Sequence, residues 1–213
     1  MDLPDGTGYQ TATSGRADDA DNSDGLPTKY TPRDASRSCM DMATIARSIP
    51  ANFRQIGAEV SAKVGNNPDQ PLRRARASSD NKAKSTLQVH QNQTLDWSID
   101  TEIFCALNGD GTGEVQVHVE IFDSAGRLVG STAGHTYGLK PNAADPRKID
   151  ITMDGTAKGT MGNPSTWPDS ERGPLAPIKL TRGIYTVRLE LFTWAEALEG
   201  TAKLTVTSTA NFK

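Results

Sequence analysis

From Ser85 onward, large apolar residues recur at every second position. Leu95, Trp97 and Ile99 alternate with Asp96 and Ser98, and Ile103, Cys105 and Leu107 follow. Val115, Val117, Val119 and Ile121 alternate with Gln116, His118 and Glu120. Ile149, Ile151 and Met153 repeat the pattern, as do Tyr185, Val187, Leu189 and Leu191, and then Ala202, Leu204 and Val206. Successive side chains of a strand point to opposite faces, so each run buries one face and wets the other. About seven to nine such strands, separated by turn signals, predict an antiparallel β-sandwich over 85–213. Asp123-Ser124-Ala125-Gly126-Arg127 reads as a hairpin in which Asp123 bonds its own turn backbone and Gly126 takes a positive φ. The stretch 154–178, rich in Gly, Pro and Ser with Trp167 as its aromatic, reads as one long loop.

The strand Val117–Phe122, the turn Asp123–Gly126, the pair Leu128-Val129, the turn Met153-Asp154-Gly155, and Leu180, Gly183 and Tyr185 ahead of a long strand form an ordered series. In that series the chain resembles the bacterial immunoglobulin-like modules of flagellar hook-capping proteins and of accessory domains of secreted proteins. The resemblance implies an all-β, non-catalytic module used for scaffolding or adhesion, and it carries no active-site residues.

Upstream of the alternation the pattern changes in blocks. Residues 1–34 hold seven acidic and three basic groups and hardly any aliphatic ones. A segment this polar cannot bury enough surface to offset its ordering entropy, so an extended arm is expected, held either along its own domain or by neighbouring subunits. Over 35–70 a helical hairpin is expected. Ala35–Arg47 suits a short helix, and Ile49, Phe53, Ile56, Val60 and Val64 then recur at intervals of 4, 3, 4 and 4 along one helical stripe. Ser48 serves as N-cap, Pro50 sits in the first turn, and Gly65-Asn66-Asn67-Pro68 ends the helix. The stripe packs either on the sheet or on a second subunit. Residues 71–84 hold five basic groups and one acidic group among small residues and read as a linker. Arg73, Arg74 and Arg76 are the side chains that would meet phosphate, but interleaved aromatics for base stacking are missing. An acidic surface of a neighbour is the other candidate partner.

Net charge is −3, which excludes global attraction to nucleic acid as the main activity. No apolar run is long enough for a membrane-spanning helix. Met1-Asp2-Leu3-Pro4-Asp5-Gly6 has neither a basic nor an apolar leader region, so a secretory signal is not expected.

Chemistry is sparse. Cys39 and Cys105 form no CxxC motif and read as buried free thiols, or as a disulfide if they meet. His90, His118 and His135 share no ligand spacing. Asn108-Gly109-Asp110-Gly111-Thr112-Gly113-Glu114 echoes a calcium loop, but Val119 stands where the bidentate Glu belongs, and a glycine-rich hairpin explains the run more simply. Glu120 and Asp123 do not make a convincing glycosidase pair, and P-loop, GxSxG and HExxH motifs are absent. No catalytic residues, metal or cofactor are expected.

The expected fold is therefore mainly β. It is an antiparallel immunoglobulin-like or jelly-roll sandwich (85–213) behind an extended arm (1–34), a helical hairpin (35–70) and a basic linker (71–84). The expected function is a non-enzymatic structural subunit of a large assembly, a virion component whose arm ties neighbours together. The alternative is an adhesion or glycan-binding module, extracellular or at a cell surface. Ile49, Phe53, Ile56, Val60, Trp167 and Trp194 are the expected interface residues, with other copies or other assembly proteins as partners.

Overall fold

The computed structural model describes residues 9–18, 29–30, 34–39, 42–49, 55–64, 75–131, 134–172, 178–198 and 200–212. Their regular elements are all strands, and nearly all of them fall into two antiparallel sheets. The first sheet runs, edge to edge, β1 (Tyr9–Asp18), β6 (Ala75–Val89), β16 (Gly183–Ala197), β9 (Thr112–Phe122), β11 (His135–Pro141), β12 (Lys148–Met153) and β13 (Thr156–Gly162), with β10 (Leu128–Ser131) beside the far end of β9. The second runs β14 (Ser165–Arg172), β8 (Trp97–Gly109), β17 (Gly200–Phe212), β5 (Gln55–Val64), β4 (Met42–Ile49), β3 (Asp34–Cys39) and β2 (Lys29–Tyr30). A two-stranded ribbon, β7 (Gln93–Leu95) with β15 (Ile178–Leu180), stands apart.

The alternation predicts the inner faces well. Val115, Val117, Val119 and Ile121 of β9 and Val187, Leu189 and Leu191 of β16 meet Ile103, Cys105 and Leu107 of β8 and Leu204 and Val206 of β17 in one continuous core. Two stacked sheets with one buried face each make a sandwich.

The helical hairpin is not present. Asp34–Cys39, Met42–Ile49 and Gln55–Val64 are consecutive antiparallel strands. In β5 the buried apolar side chains are Ile56, Ala58, Val60, Ala62 and Val64, a period of two. Small alanines fill the intermediate inward positions, so the large side chains alone recur every four residues, a spacing common to both periods. Nor does Tyr9–Asp18 form a separate arm: of the two placements expected it takes the one along its own domain, as an edge strand paired with β6, from Tyr9 opposite Lys84 to Asp18 opposite Arg76. Backbone ladder bonds supply what the side chains of this polar stretch cannot. The stretch read as a linker is strand from Ala75 on; Ala75, Ala77, Ser79 and Asn81 point inward, small or polar and easily missed. Residues 71–74 lie outside the described residues, as do 1–8, 19–28 and 50–54. The small inward residues bring the sheets close, and Asn81 Nδ2 donates across the interior to Gly57 O at 2.8 Å. Thr101 Oγ1 and Ser208 Oγ, 3.2 Å apart, satisfy each other nearby.

The stretch 154–178 is likewise not one loop. After the turn Asp154-Gly155, whose φ values are 51° and 77°, β13 and β14 follow as edge strands of opposite sheets and close one side of the sandwich. Pro168 is tolerated because β14 is an edge. Lys158 Nζ links them, 3.2 Å from Asp169 Oδ2 and 3.1 Å from Glu171 Oε1. Burial alone would lower the Lys158 pKa, but the hydrogen bonds to Glu171 and Asp169 outweigh it and hold the ammonium above its ordinary value.

Two further hairpins cross between the sheets at one end. Gly109 and Gly111 flank the β8–β9 turn, Gly200 opens β17, and the chain backbones touch there. The glycines of the calcium-like run thus answer to packing rather than to a metal: Gly109 has a φ of 64°, a Cβ on Gly111 would run into the Thr201 carbonyl, and one on Gly113 would run into the Leu204 side chain. At the other end Tyr185 anchors the entry to β16: its hydroxyl accepts from Thr181 N at 3.1 Å and donates to Thr181 O at 2.9 Å. Such a tyrosine corner is a recurrent feature of sandwiches with immunoglobulin-like architecture. Tyr185→Phe keeps the ring and removes both bonds. It is expected to cost about 1–2 kcal/mol in urea denaturation, and an unchanged midpoint would show that water replaces the hydroxyl.

Candidate interaction surface

The outer face of the first sheet is a lattice of opposite charges, because strand alternation turns Glu120, Arg188, Glu190 and Lys82 outward on adjacent strands. Arg188 Nε donates to Glu120 Oε2 at 2.7 Å, and its Nη2 donates to the same carboxylate. Arg188 Nε also lies 3.0 Å from Glu190 Oε1, Lys82 Nζ lies 3.2 Å from Glu190 Oε1, and His118 Nε2 lies 3.5 Å from Glu120 Oε1. Burial raises the Glu120 pKa, but the Arg188 guanidinium more than offsets it and holds the carboxyl below its usual range. Arg76 stacks over the Trp194 ring at 4.7 Å and pairs with Glu196 at 4.0 Å. Charges committed in this way satisfy one another.

The lattice stops at Phe122. Arg188 covers one side of that ring, 4.9 Å from its centroid. Beyond it lie Ile184, 58% exposed, Leu128, 53%, and Val129, 40%. Leu128 pairs directly with Phe122 across β9–β10, and Thr186 pairs with Phe122 on the other side. A groove of about 320 Å³ runs between Ile184, Phe122 and the hairpin turn. The turn is stiff: Asp123 Oδ1 accepts from Ala125 N and Arg127 N, both at 2.9 Å, and Gly126 has a φ of 77°. Those backbone bonds, chiefly the one from Arg127 N, depress the Asp123 pKa. Arg127 returns an ion pair to Asp123 Oδ2 at 2.8 Å, yet its side chain is 81% exposed.

On the opposite side of the sandwich, the outer face of the second sheet holds a groove of about 440 Å³ between β14, β8 and β17. Asp100, Glu102, Pro168, Ser170, Thr207 and Thr209 line it. Asp100 is tied to Ser170 Oγ at 2.6 Å and to Asn211 Nδ2 at 2.9 Å. Glu102 is exposed and has no partner among the described residues.

The residues expected at an interface are scattered. Ile56 and Val60 are fully buried inside the sandwich. Ile49 belongs to β4, and its side chain, like Phe53, lies outside the described residues. Trp167 is half-buried, packed against the core where Gly159 leaves room for the indole, and its Nε1 lacks a hydrogen-bond partner. Trp194 is half-buried beneath Arg76. Arg73 and Arg74 lie outside the described residues. Cys105 is a free, buried thiol, while the side chain of Cys39 lies outside them. His135 Nδ1 is 3.0 Å from Asp154 Oδ2, and among the described residues no cluster of His, Cys, Asp and Glu is arranged to hold a metal. The patch at Phe122, Leu128 and Ile184 was missed, although a signal for it exists. With Tyr185 and Val187 inward, Ile184 has to face out, and adjacent Leu128 and Val129 cannot both face in.

No family model and no curated protein matches the chain. Among solved structures, a chain from "Structure of infectious bursal disease virus Gx strain" is 10% identical with a TM-score of 0.16, covering 93% of this chain and 61% of that one. A score at that level establishes no shared fold.

Proposed function

We propose that this protein is a non-enzymatic structural subunit of a large assembly, a capsid, tail or decoration component of a phage or viral particle. The observation that carries the reading is the apolar patch of Phe122, Leu128, Val129 and Ile184, set beside the paired charges of Glu120, Arg188, Glu190 and Lys82. Exposed apolar surface rimmed by polar residues marks protein–protein contact. The Lys158 bridge between β13 and β14 and the hairpins that cross between the sheets at one end supply the stiffness a building block needs. The strap role of a free arm is withdrawn, since Tyr9–Asp18 is part of the first sheet.

A second reading, an immunoglobulin-like adhesion module outside the cell, draws on the Tyr185 corner. Its expected ligand contact, Trp167, is tucked against Gly159. Native mass at micromolar concentration separates the two. A defined oligomer is expected, and the Leu128→Asp, Ile184→Asp double variant should be a folded monomer. A wild-type monomer would remove the assembly reading and favour the adhesion one.

A further inference from the structure

The two outer faces differ in a complementary way. The β9–β10 hairpin projects an exposed guanidinium, Arg127, next to Leu128 and Val129. The groove on the second sheet is concave, with no basic side chain in its lining among the described residues; it offers the carboxylates of Glu102 and Asp100 and the flat ring of Pro168. Phe104, 36% exposed, stands on the same face of β8, two residues beyond Glu102. Anionic ligands are disfavoured there, and an arginine flanked by aliphatic side chains is suited.

Because hairpin and groove lie on opposite faces, one molecule cannot satisfy its own pair. We propose that the β9–β10 hairpin of one copy docks into the Asp100–Glu102 groove of a second copy, a head-to-tail contact that repeats from subunit to subunit. The inference rests on the assembly reading and specifies its contact. Arg127 keeps its bond to Asp123 and places its remaining donors on Glu102 of the neighbour; a guanidinium has five donors, enough for both carboxylates. Leu128 and Val129 cover Pro168 and Phe104. A heterologous contact of this kind builds rings or filaments, whereas a two-fold contact stops at a dimer.

The test is a charge swap in the full chain, read by light scattering and sedimentation across a concentration series. Arg127→Glu and Glu102→Arg are each expected to weaken self-association about tenfold or more, and the double variant to restore it to near the wild-type value. Circular dichroism confirms that each variant is folded, and a second substitution, Arg127→Gln, checks the hairpin without adding a like charge beside Asp123. If wild type assembles and neither single variant changes its mass, or the double fails to recover, this contact is wrong while the assembly reading stands. If wild type stays monomeric, both are wrong.

Discussion

Gly200→Ala is expected to destabilise the sandwich by about 3 kcal/mol or more, although it adds a single methyl group. Gly200 has a φ of 108°, where L side chains are strained, and a Cβ there would run into the carbonyl of Asn108 and come within 3.2 Å of Gly109 Cα. Both obstacles are backbone, fixed by the pairing of Gly200 with Gly109, so neither can turn aside. Gly126 supplies the control. Its φ is 77°, but nothing lies within 4 Å of the position a Cβ would take. Gly126→Ala should therefore cost only about 1–2 kcal/mol, the conformational part alone. Urea midpoints of the two variants measure the difference. Equal losses would mean that the crossing hairpins can separate without penalty.

The second large effect is with pH. Burial pushes the Cys105 thiol from 9.0 up to about 12. The group is fully buried, so solvent screening does not reduce the shift. With the folded value raised, the stabilising contribution is complete below pH 9 and is lost as pH climbs towards 12, because the unfolded chain releases the proton first. A shift of this size amounts to about 4 kcal/mol at the top of the window. Tyr137 acts in the same direction from about pH 10: burial, then the Asp169 carboxylate, push its phenol far above the ordinary value. Wild type should thus lose about 3 kcal/mol between pH 8 and pH 11 beyond what Cys105→Ala loses over the same interval. Parallel pH profiles in the two proteins would show that the thiol ionises in place.

What could be read from the amino acids, and what could not, follows from side-chain size. Val115 to Ile121 and Tyr185 to Leu191 carry bulky residues at every inward position, and the hydrophobic effect writes the period of two plainly. In β5 and β6 the inward positions hold Ala58, Ala62, Ala75, Ala77, Ser79 and Asn81, so the same period vanishes from a search for large apolar groups. The spacing of Ile56, Val60 and Val64 fits a helix as well as a strand, and only pairing with β4 and β17 decides it. Likewise Gly159 and Trp167 are far from each other in type and five-residue context, yet they fit across the edge between β13 and β14. The turns were local and therefore readable: Asp123 and Gly126 do their work within five residues. The surface patch depended on tracking phase past the end of a strand, where Ile184 falls on the wet side.

The position of the last two strands has a consequence for biosynthesis. β16 lies between β6 and β9, and β17 lies between β8 and β5. While the ribosome is still making residues before Gly183, the strands that will flank each gap have no common neighbour, and their edges stand open in the crowded cell. Antiparallel pairing over such long sequence separations is slow and exposed to misassembly. A polypeptide released before Gly183 would therefore offer those open edges to any passing strand. It is the nascent chain, not the finished sandwich, that most needs a chaperone.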